Sequence, residues 1–137
     1  MPMHYLAIDM GSTSLTAVVI DLAAKAVVGT SSVANAAEVT GAVGGKNARS
    51  EWDLDRMTEL AVDKAANLVS TTGVQPAAIG VTGQQQGLQL LDAQLKAVGP
   101  FISWQDQRVK DPISGDGQTY LQAVGTMGGV VAAEGGL

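Results

Sequence analysis

The sequence contains no cysteine and a single histidine, His4. Without thiols the chain cannot form a disulfide or use a thiolate nucleophile, and one histidine cannot build a multi-histidine metal centre. Only 4% of the residues are aromatic, while 46% are hydrophobic, so the core must consist of small aliphatic side chains. These shortages exclude disulfide scaffolds, thiol enzymes and histidine-rich metal proteins.

Positive charge is also scarce, with 8 Lys and Arg against 13 Asp and Glu, and no basic run. We therefore expect no nucleic acid and no anionic membrane as partner. The N-terminus lacks the basic start and apolar core of a signal peptide, and the long uncharged segment 65–91 is interrupted by glycine, proline and glutamine. The sequence predicts a soluble cytoplasmic protein. A phosphate ligand stays compatible, because backbone N–H groups can hold it.

Three strand-like segments open the chain, Tyr5–Ile8, Leu15–Leu22 and Ala26–Ala34. Their connections are too short for a parallel return, so they must be antiparallel neighbours. The glycine turn after the first segment leads into a second strand. A dinucleotide-binding fold would enter a helix there, so that fold is excluded.

A helix is predicted after these strands, with Asp53 as its N-cap and Gly73 as its C-cap. Apolar side chains recur at helical spacing over this stretch: Leu54, Met57, Leu60, Ala61, Ala65, Leu68 and Val69. The length of 137 residues allows one modest domain or part of a larger one.

The remaining segments are shorter and alternate between polar and apolar. Residues 40–50 are rich in glycine and predict an exposed loop. Ala77–Gly83 predicts a buried strand, with residues 87–92 as its partner strand, and Phe101–Trp104 predicts another short strand. Residues 117–124 begin a second helix. Together these elements predict an α/β protein with a mixed sheet.

The segment AIDMGSTS places an acid, Asp9, at a strand end before a small, hydroxyl-rich turn. Gly11 lets backbone approach a ligand closely, Ser12 and Thr13 offer N–H and O–H donors, and Asp9 can hold a hydrated Mg²⁺. This pattern predicts a phosphate site. An ordinary hairpin turn favours the same residue types and is the alternative.

The segment SWQDQR combines an aromatic ring, amides, an acid and a guanidinium within six residues. Trp104 offers a flat apolar face, and Gln105 and Asp106 can pair with hydroxyls, a combination that suits a sugar. The alternative is a polar strand end with a half-buried Trp104 and an ion pair between Asp106 and Arg108.

Three consecutive glutamines, Gln84, Gln85 and Gln86, interrupt the apolar segments of VTGQQQGLQLLD. A buried amide needs hydrogen-bond partners, which either backbone groups or a polar ligand must supply. A solvated hairpin turn is the alternative, although such turns favour Gly, Asn and Asp.

Taken in order, DMGSTS, SEWDLDRM, VTGQQQGLQLLD and PFISWQDQR resemble the N-terminal part of the FGGY-type carbohydrate kinases. The resemblance extends from about Met3 to Gln122. It implies an actin-like ATPase fold, related to ribonuclease H, with two domains around a cleft. It also implies transfer of the γ-phosphoryl of MgATP to a sugar or polyol hydroxyl. Residues 1–137 would then form an incomplete N-terminal, sugar-binding domain.

The resemblance also implies roles for individual residues. At the ATP and Mg²⁺ end they are Asp9 for the metal and Gly11, Ser12 and Thr13 for the phosphates. At the sugar end they are Gln85, Gln86, Trp104, Gln105 and Asp106. The family's catalytic base and most of its adenine site would lie beyond Leu137, and a homodimer is possible.

The sequence departs from the family pattern at Thr16, where the relatives usually carry Lys or Arg near the transferred phosphate. Gln85 and Gln86 match neither common sugar-contacting pair of the family, so the sugar stays open. We expect the chain to be inactive by itself. The alternative function is a non-catalytic actin-like module that binds nucleotide or sugar, or a remnant of a kinase.

Overall fold

The computed structural model describes residues 3–40, 48–84, 86–113, 115 and 117–128. The chain divides into two compact units: Met1–Glu38 with Asp53–Gln85 form the first, and Val39–Trp52 with Gln86–Leu137 form the second. In chain order the elements are β1 (His4–Met10), β2 (Ser14–Asp21), β3 (Ala26–Ala34), β4 (Glu51–Trp52), α1 (Leu54–Thr72), β5 (Ala78–Gly83), β6 (Phe101–Ile102), a 3₁₀ turn (Arg108–Lys110) and α2 (Tyr120–Gly128).

The first unit contains a four-stranded sheet in the order β3-β2-β1-β5. β1 and β2 are antiparallel, as are β2 and β3, which confirms the prediction from the short connections. β5 returns parallel to β1 after the crossover through α1. The mixed sheet predicted from the sequence is therefore present.

Helix α1 has both of the caps that the sequence predicts. The Asp53 carboxylate accepts a hydrogen bond from the Arg56 N–H at 2.9 Å, and Gly73 adopts the left-handed conformation with φ 66°. The Gly73 N–H donates to the Val69 carbonyl at 3.0 Å, which ends the helix. A glycine there avoids the cost of a Cβ at positive φ.

The core of the first unit lies between α1 and one face of the sheet. Its buried members are small or medium aliphatic side chains, as the low aromatic content requires: Leu6, Ala17, Val19, Ala65 and Leu68. On α1 these side chains are spaced to share one face of the helix, and on β2 they are two residues apart and share one face of the sheet.

The prediction of a strand at Ala77–Gly83 is confirmed, but its predicted burial is wrong. All six residues of β5 are exposed, including Ile79 at 62% and Val81 at 66%. The reason is that β5 is an edge strand, and α1 lies over β1, β2 and β3. The apolar run of β5 therefore predicted a strand correctly, but it could not predict whether other elements pack on that strand.

The second unit is built around a short antiparallel pair, β4 with β6. Leu88 exchanges two backbone hydrogen bonds with Ile102, at 2.9 and 2.8 Å. Residues 87–92 therefore form isolated bridges within this unit, so their prediction as a partner strand of β5 is wrong. β6 is shorter than the predicted Phe101–Trp104, because the Ser103 carbonyl accepts from the Asp106 N–H and starts a turn.

Residues 41–47 of the predicted loop lie outside the described residues. At the end of that loop Ser50 is buried, so the prediction of exposure fails there.

The predicted second helix is α2. Its N-terminus is capped reciprocally, because the Thr119 N–H donates to the Gln122 Oε1 and the Gln122 N–H donates to the Thr119 Oγ1. Neither α1 nor α2 is long and apolar enough to cross a bilayer, within the part of the chain that the structure describes.

Candidate functional site

Asp9 lies near the end of β1, in the middle of the sheet of the first unit. Its register partners are Thr16 on β2 and Thr82 on β5. Ile8 packs against the core beneath α1. Since side chains alternate along a strand, Asp9 belongs to the opposite face. The Asp9 side chain is exposed, and it forms no hydrogen bond or ion pair with the residues that the structure describes.

Thr16, the register partner of Asp9 on β2, is part of a hydroxyl pair. Its Oγ1 lies 2.9 Å from the Oγ of Ser32 on β3. The Ser32 hydroxyl also lies 3.2 Å from the Leu15 carbonyl, to which it donates. Ser32 has one proton, so Thr16 is the donor between the two hydroxyls whenever Ser32 donates to Leu15. The position beside Asp9 is therefore neutral and bound to the next strand.

The turn after Asp9 requires a glycine at its first position. The Gly11 N–H donates to the Ser14 carbonyl at 3.1 Å, and a Cβ on Gly11 would lie only 2.9 Å from that oxygen. Any side chain would therefore push the two ends of the turn apart. Ser12 and Thr13 complete the turn between β1 and β2.

Asn35 holds this turn from the end of β3, a role that the sequence analysis missed. Its Nδ2 donates to the Gly11 carbonyl at 2.9 Å, and its backbone N–H donates to the Thr13 carbonyl at 3.0 Å. Its Oδ1 accepts from the Ala37 N–H at 3.2 Å. A single Asn between alanines carries no motif, so only the structure could identify this contact.

The residues of this turn fit a hydrated Mg²⁺. Mg²⁺ keeps several waters and commonly binds proteins through one or two carboxylates together with substrate phosphates. Asp9 supplies one exposed carboxylate, and the turn supplies backbone and hydroxyl donors for phosphate. Among the described residues no cluster of three or more His, Cys, Asp or Glu could bind a metal without such help.

Gln84 and Gln86 have different surroundings. Gln84 follows β5 in the first unit, and its N–H donates to the Met10 carbonyl at 3.1 Å. Gln85 lies outside the described residues. Gln86 belongs to the second unit, is exposed, and has a positive φ of 61°, which is uncommon for a residue with a side chain.

Asp106 is buried in the second unit, and its carboxylate is fully hydrogen-bonded. Oδ1 accepts from the backbone N–H and the Nε of Arg108, both at 2.8 Å. Oδ2 accepts from the Ser50 N–H at 2.9 Å and from Arg108 Nη2 at 2.8 Å. Burial raises the pKa of Asp106, but the bonds from Arg108 and Ser50 lower it by more, to about 2.

Arg108 and Ser50 connect Asp106 to a wider polar network. Arg108 also pairs with Glu51, and the hydrogen bonds that Arg108 donates to Asp106 raise the pKa of Arg108 above its usual value. The hydroxyls of Ser50 and Ser103 lie 2.7 Å apart, and Trp52 Nε1 donates to the Ser50 Oγ at 3.2 Å. Four donors fill the lone pairs of Asp106, so this network fixes the loop. The predicted role of Asp106 as a sugar ligand stays a prediction.

Trp104 and Gln105 project from this fixed loop. Trp104 is 55% exposed, and Gln105 is exposed as well. The Gln105 N–H donates to the Ser103 Oγ at 3.2 Å, which holds its backbone to the network. An exposed ring beside an exposed amide is the combination that the sugar prediction requires, and the sugar-binding role of both residues stays a prediction.

A mixed sheet of three antiparallel strands, one crossover helix and a parallel strand is the N-terminal part of an actin-like ATPase fold. Residues 4–114 match the N-terminal domain of the FGGY family of carbohydrate kinases. The chain belongs to this family, as the four motifs predicted. No curated protein matches it in sequence.

Solved structures of three FGGY kinases resemble the chain. Xylulose kinase from Rhodospirillum rubrum is 27% identical with a TM-score of 0.68, over 77% of this chain and 21% of that one. Gluconate kinase from Lactobacillus acidophilus is 21% identical with a TM-score of 0.61, over 80% and 21%. Plasmodium falciparum glycerol kinase with ADP is 20% identical with a TM-score of 0.61, over 80% and 22%. The chain therefore spans about a fifth of their length.

Proposed function

We propose that the chain is the N-terminal, sugar-side part of an ATP-dependent carbohydrate kinase, which phosphorylates a hydroxyl of a sugar or polyol. The observation that carries this proposal is the exposed Asp9 beside a closed glycine turn, in a chain of the FGGY family. The names of the similar structures offer xylulose, gluconate and glycerol as candidate acceptors.

At the phosphate end, Asp9 would hold the hydrated Mg²⁺, which neutralises charge on the phosphates during transfer. Ser12 and Thr13 would donate to phosphate oxygens, Gly11 would let the phosphate approach the backbone closely, and Asn35 holds the backbone of this turn. A turn fixed before binding does not have to be ordered by the ligand, so its donors act without reorganisation.

At the sugar end, the proposed ligands are Gln85, Gln86, Trp104 and Gln105, whereas Asp106, whose lone pairs are occupied by Arg108 and Ser50, would hold the loop. The polar network of Asp106 with Arg108 and Ser50 supports this assignment indirectly, since it fixes the loop from which Trp104 projects. A contact with a sugar ring needs such a fixed aromatic face.

The second candidate is a non-catalytic actin-like binding module. It is favoured by Thr16, whose neutral hydroxyl stands where the family usually has a cation. Removing a positive group beside the transferred phosphate costs transition-state stabilisation, so a kinase with Thr16 needs a cation from elsewhere.

Asp9→Asn in the protein expressed from its complete coding sequence separates the two candidates. Steady-state kinetics with xylulose, gluconate or glycerol and varied MgATP should show kcat lowered more than about tenfold, which is 1.36 kcal/mol of barrier. The sugar KM should change less than about twofold. Asp63→Asn, an exposed position on α1, is the matched control and should keep the parent's kcat.

The binding module would give a different result. The parent would then bind sugar or nucleotide without producing ADP, and Asp9→Asn would change binding alone. A kcat for Asp9→Asn equal to that of Asp63→Asn would mean that the turn is an ordinary hairpin.

A further inference from the structure

The side-chain amide of Gln84 is buried and has no hydrogen-bond partner among the residues that the structure describes. Both its Oε1 and its Nε2 are inaccessible to solvent, and neither is bonded to any residue that the structure describes. Buried amides are normally paired, because burial removes the hydrogen bonds that water would make. A Leu of similar size would avoid this cost, so the amide is expected to serve a ligand.

Gln84 lies at the same end of the sheet as the candidate phosphate turn. Its backbone N–H is bonded to the Met10 carbonyl, one residue before Gly11. The preceding Gly83 keeps the two strands close, because a Cβ there would lie 3.0 Å from the Met10 oxygen. Gln84 is therefore fixed beside the turn by backbone contacts.

The strand register also relates Gln84 to Asp9. Thr82 is the register partner of Asp9 on β5. Gln84 follows two residues after Thr82, directly beyond the end of β5. The buried amide thus belongs to a residue at the end of the sheet that carries the carboxylate proposed to hold Mg²⁺.

The chemistry of the amide selects among the ligands of the proposed function, on which this inference rests. Phosphate oxygens only accept hydrogen bonds, so they can satisfy Nε2 and leave Oε1 unpaired. Mg²⁺ takes only oxygen ligands, so it can satisfy Oε1 and leave Nε2 unpaired. A hydroxyl both donates and accepts, and neighbouring hydroxyls of a polyol can pair with both atoms at once.

We infer that Gln84 binds hydroxyls of the polyhydroxy acceptor and contributes to the choice of sugar. The inference predicts opposite effects of one substitution on stability and on binding. Without sugar, Gln84→Leu relieves an unpaired buried amide. With sugar, the same change removes the group that pairs with the hydroxyls.

The test uses the protein expressed from its complete coding sequence, with Gln84→Leu compared with Gln75→Leu. Gln75 is exposed in the connection before β5 and serves as the matched control. Melting temperatures are measured without ligand, and dissociation constants for xylulose, gluconate and glycerol are measured by calorimetry. We expect Gln84→Leu to melt at or above the temperature of the control. We expect it to bind the acceptor at least about tenfold more weakly.

Each other outcome has a defined meaning. A lower melting temperature for Gln84→Leu than for the control would show that the amide has a protein or water partner, which overturns the inference. Unchanged acceptor binding in Gln84→Leu would overturn the inference and leave the proposed function standing. If the parent binds none of the three acceptors, xylulose, gluconate and glycerol, the result contradicts the proposed function itself.

A second measurement covers the case in which Gln84→Leu does not fold. The side-chain amide signals of Gln84 in ¹⁵N-labelled parent are followed while a polyol, MgATP or inorganic phosphate is added. A shift with the polyol alone supports the inference. No shift with a polyol that binds, or a shift with phosphate alone, overturns it.

Discussion

At the scale of single residues, two carboxylates of this chain have opposite surroundings. Asp106 is buried and accepts four hydrogen bonds from Arg108 and Ser50. Asp9 is exposed and unpaired among the described residues. A carboxylate with all its lone pairs occupied stabilises a loop, whereas an exposed and unpaired one can take a metal ion. The difference supports a structural contribution of Asp106 and a ligand-binding one of Asp9.

Asp106→Asn should destabilise the protein in a pH-dependent way. The folded pKa of Asp106 is about 2, below its usual value of 3.8, so the unfolded chain takes up the proton first as the pH falls. The stability from this carboxylate is therefore complete above about pH 4 and is lost as the pH falls toward 2. At pH 7 we expect a loss of roughly 1–3 kcal/mol in the free energy of unfolding.

Urea unfolding followed by tryptophan fluorescence checks this, because Trp52 and Trp104 both lie in the second unit. The stability difference between parent and Asp106→Asn should shrink from pH 7 to pH 2.5. Asp63→Asn, at an exposed position of α1, should show no such convergence. An equal difference at both pH values would contradict the role given to Asp106.

At the scale of elements, the bridge between Leu88 and Ile102 brings Gly87 against the ring of Phe101. A Cβ on Gly87 would lie 1.9 Å from Phe101 Cζ and 2.4 Å from Cε2. Atoms cannot approach so closely, so the ring or the strand pair would have to move. The glycine after the three glutamines is therefore required by packing within the second unit.

Gly87→Ala should lower the free energy of unfolding by roughly 1–3 kcal/mol, the usual cost of overpacking. Tryptophan fluorescence during urea unfolding measures the change in the second unit. The matched control is the same substitution combined with Phe101→Leu, which removes the aromatic ring. Gly87→Ala should then cost less, and an unchanged cost would exclude the ring as its cause.

At the scale of the whole molecule, the chain spans about a fifth of the length of the similar kinase structures. It contains the candidate phosphate turn in its first unit, and Trp104, Gln105 and Asp106 in its second. The proposed phosphoryl transfer also requires a general base and a site that positions ATP.

We expect the 137-residue chain alone to have no kinase activity. A general base contributes about 10²–10⁴-fold to rate, and positioning of ATP contributes further. The measurement is ADP release from MgATP by the purified chain, with and without xylulose, gluconate or glycerol. The protein expressed from its complete coding sequence is the positive control. Sugar-dependent ADP release by the chain alone would contradict this prediction.

Local sequence patterns were sufficient for several elements of the fold. Asp53 and Gly73 marked both ends of α1, because capping depends on neighbours within one turn. The short connections required antiparallel pairing of the first three strands. The four motifs in order identified the family, and Asp9 with its glycine turn was recognisable as a candidate phosphate site.

Contacts between distant segments decided the rest. β5 has an apolar sequence, but only the position of α1 over β1–β3 left Ile79 and Val81 exposed. Asn35 holds the turn at Gly11 from 24 residues away, and Ser50 binds Asp106 from 56 residues away. Whether the Gln84 amide is buried and paired depends on which residues pack around it in the folded chain. Hydrogen bonds and burial of this kind arise from three-dimensional packing, which no local pattern in the sequence encodes.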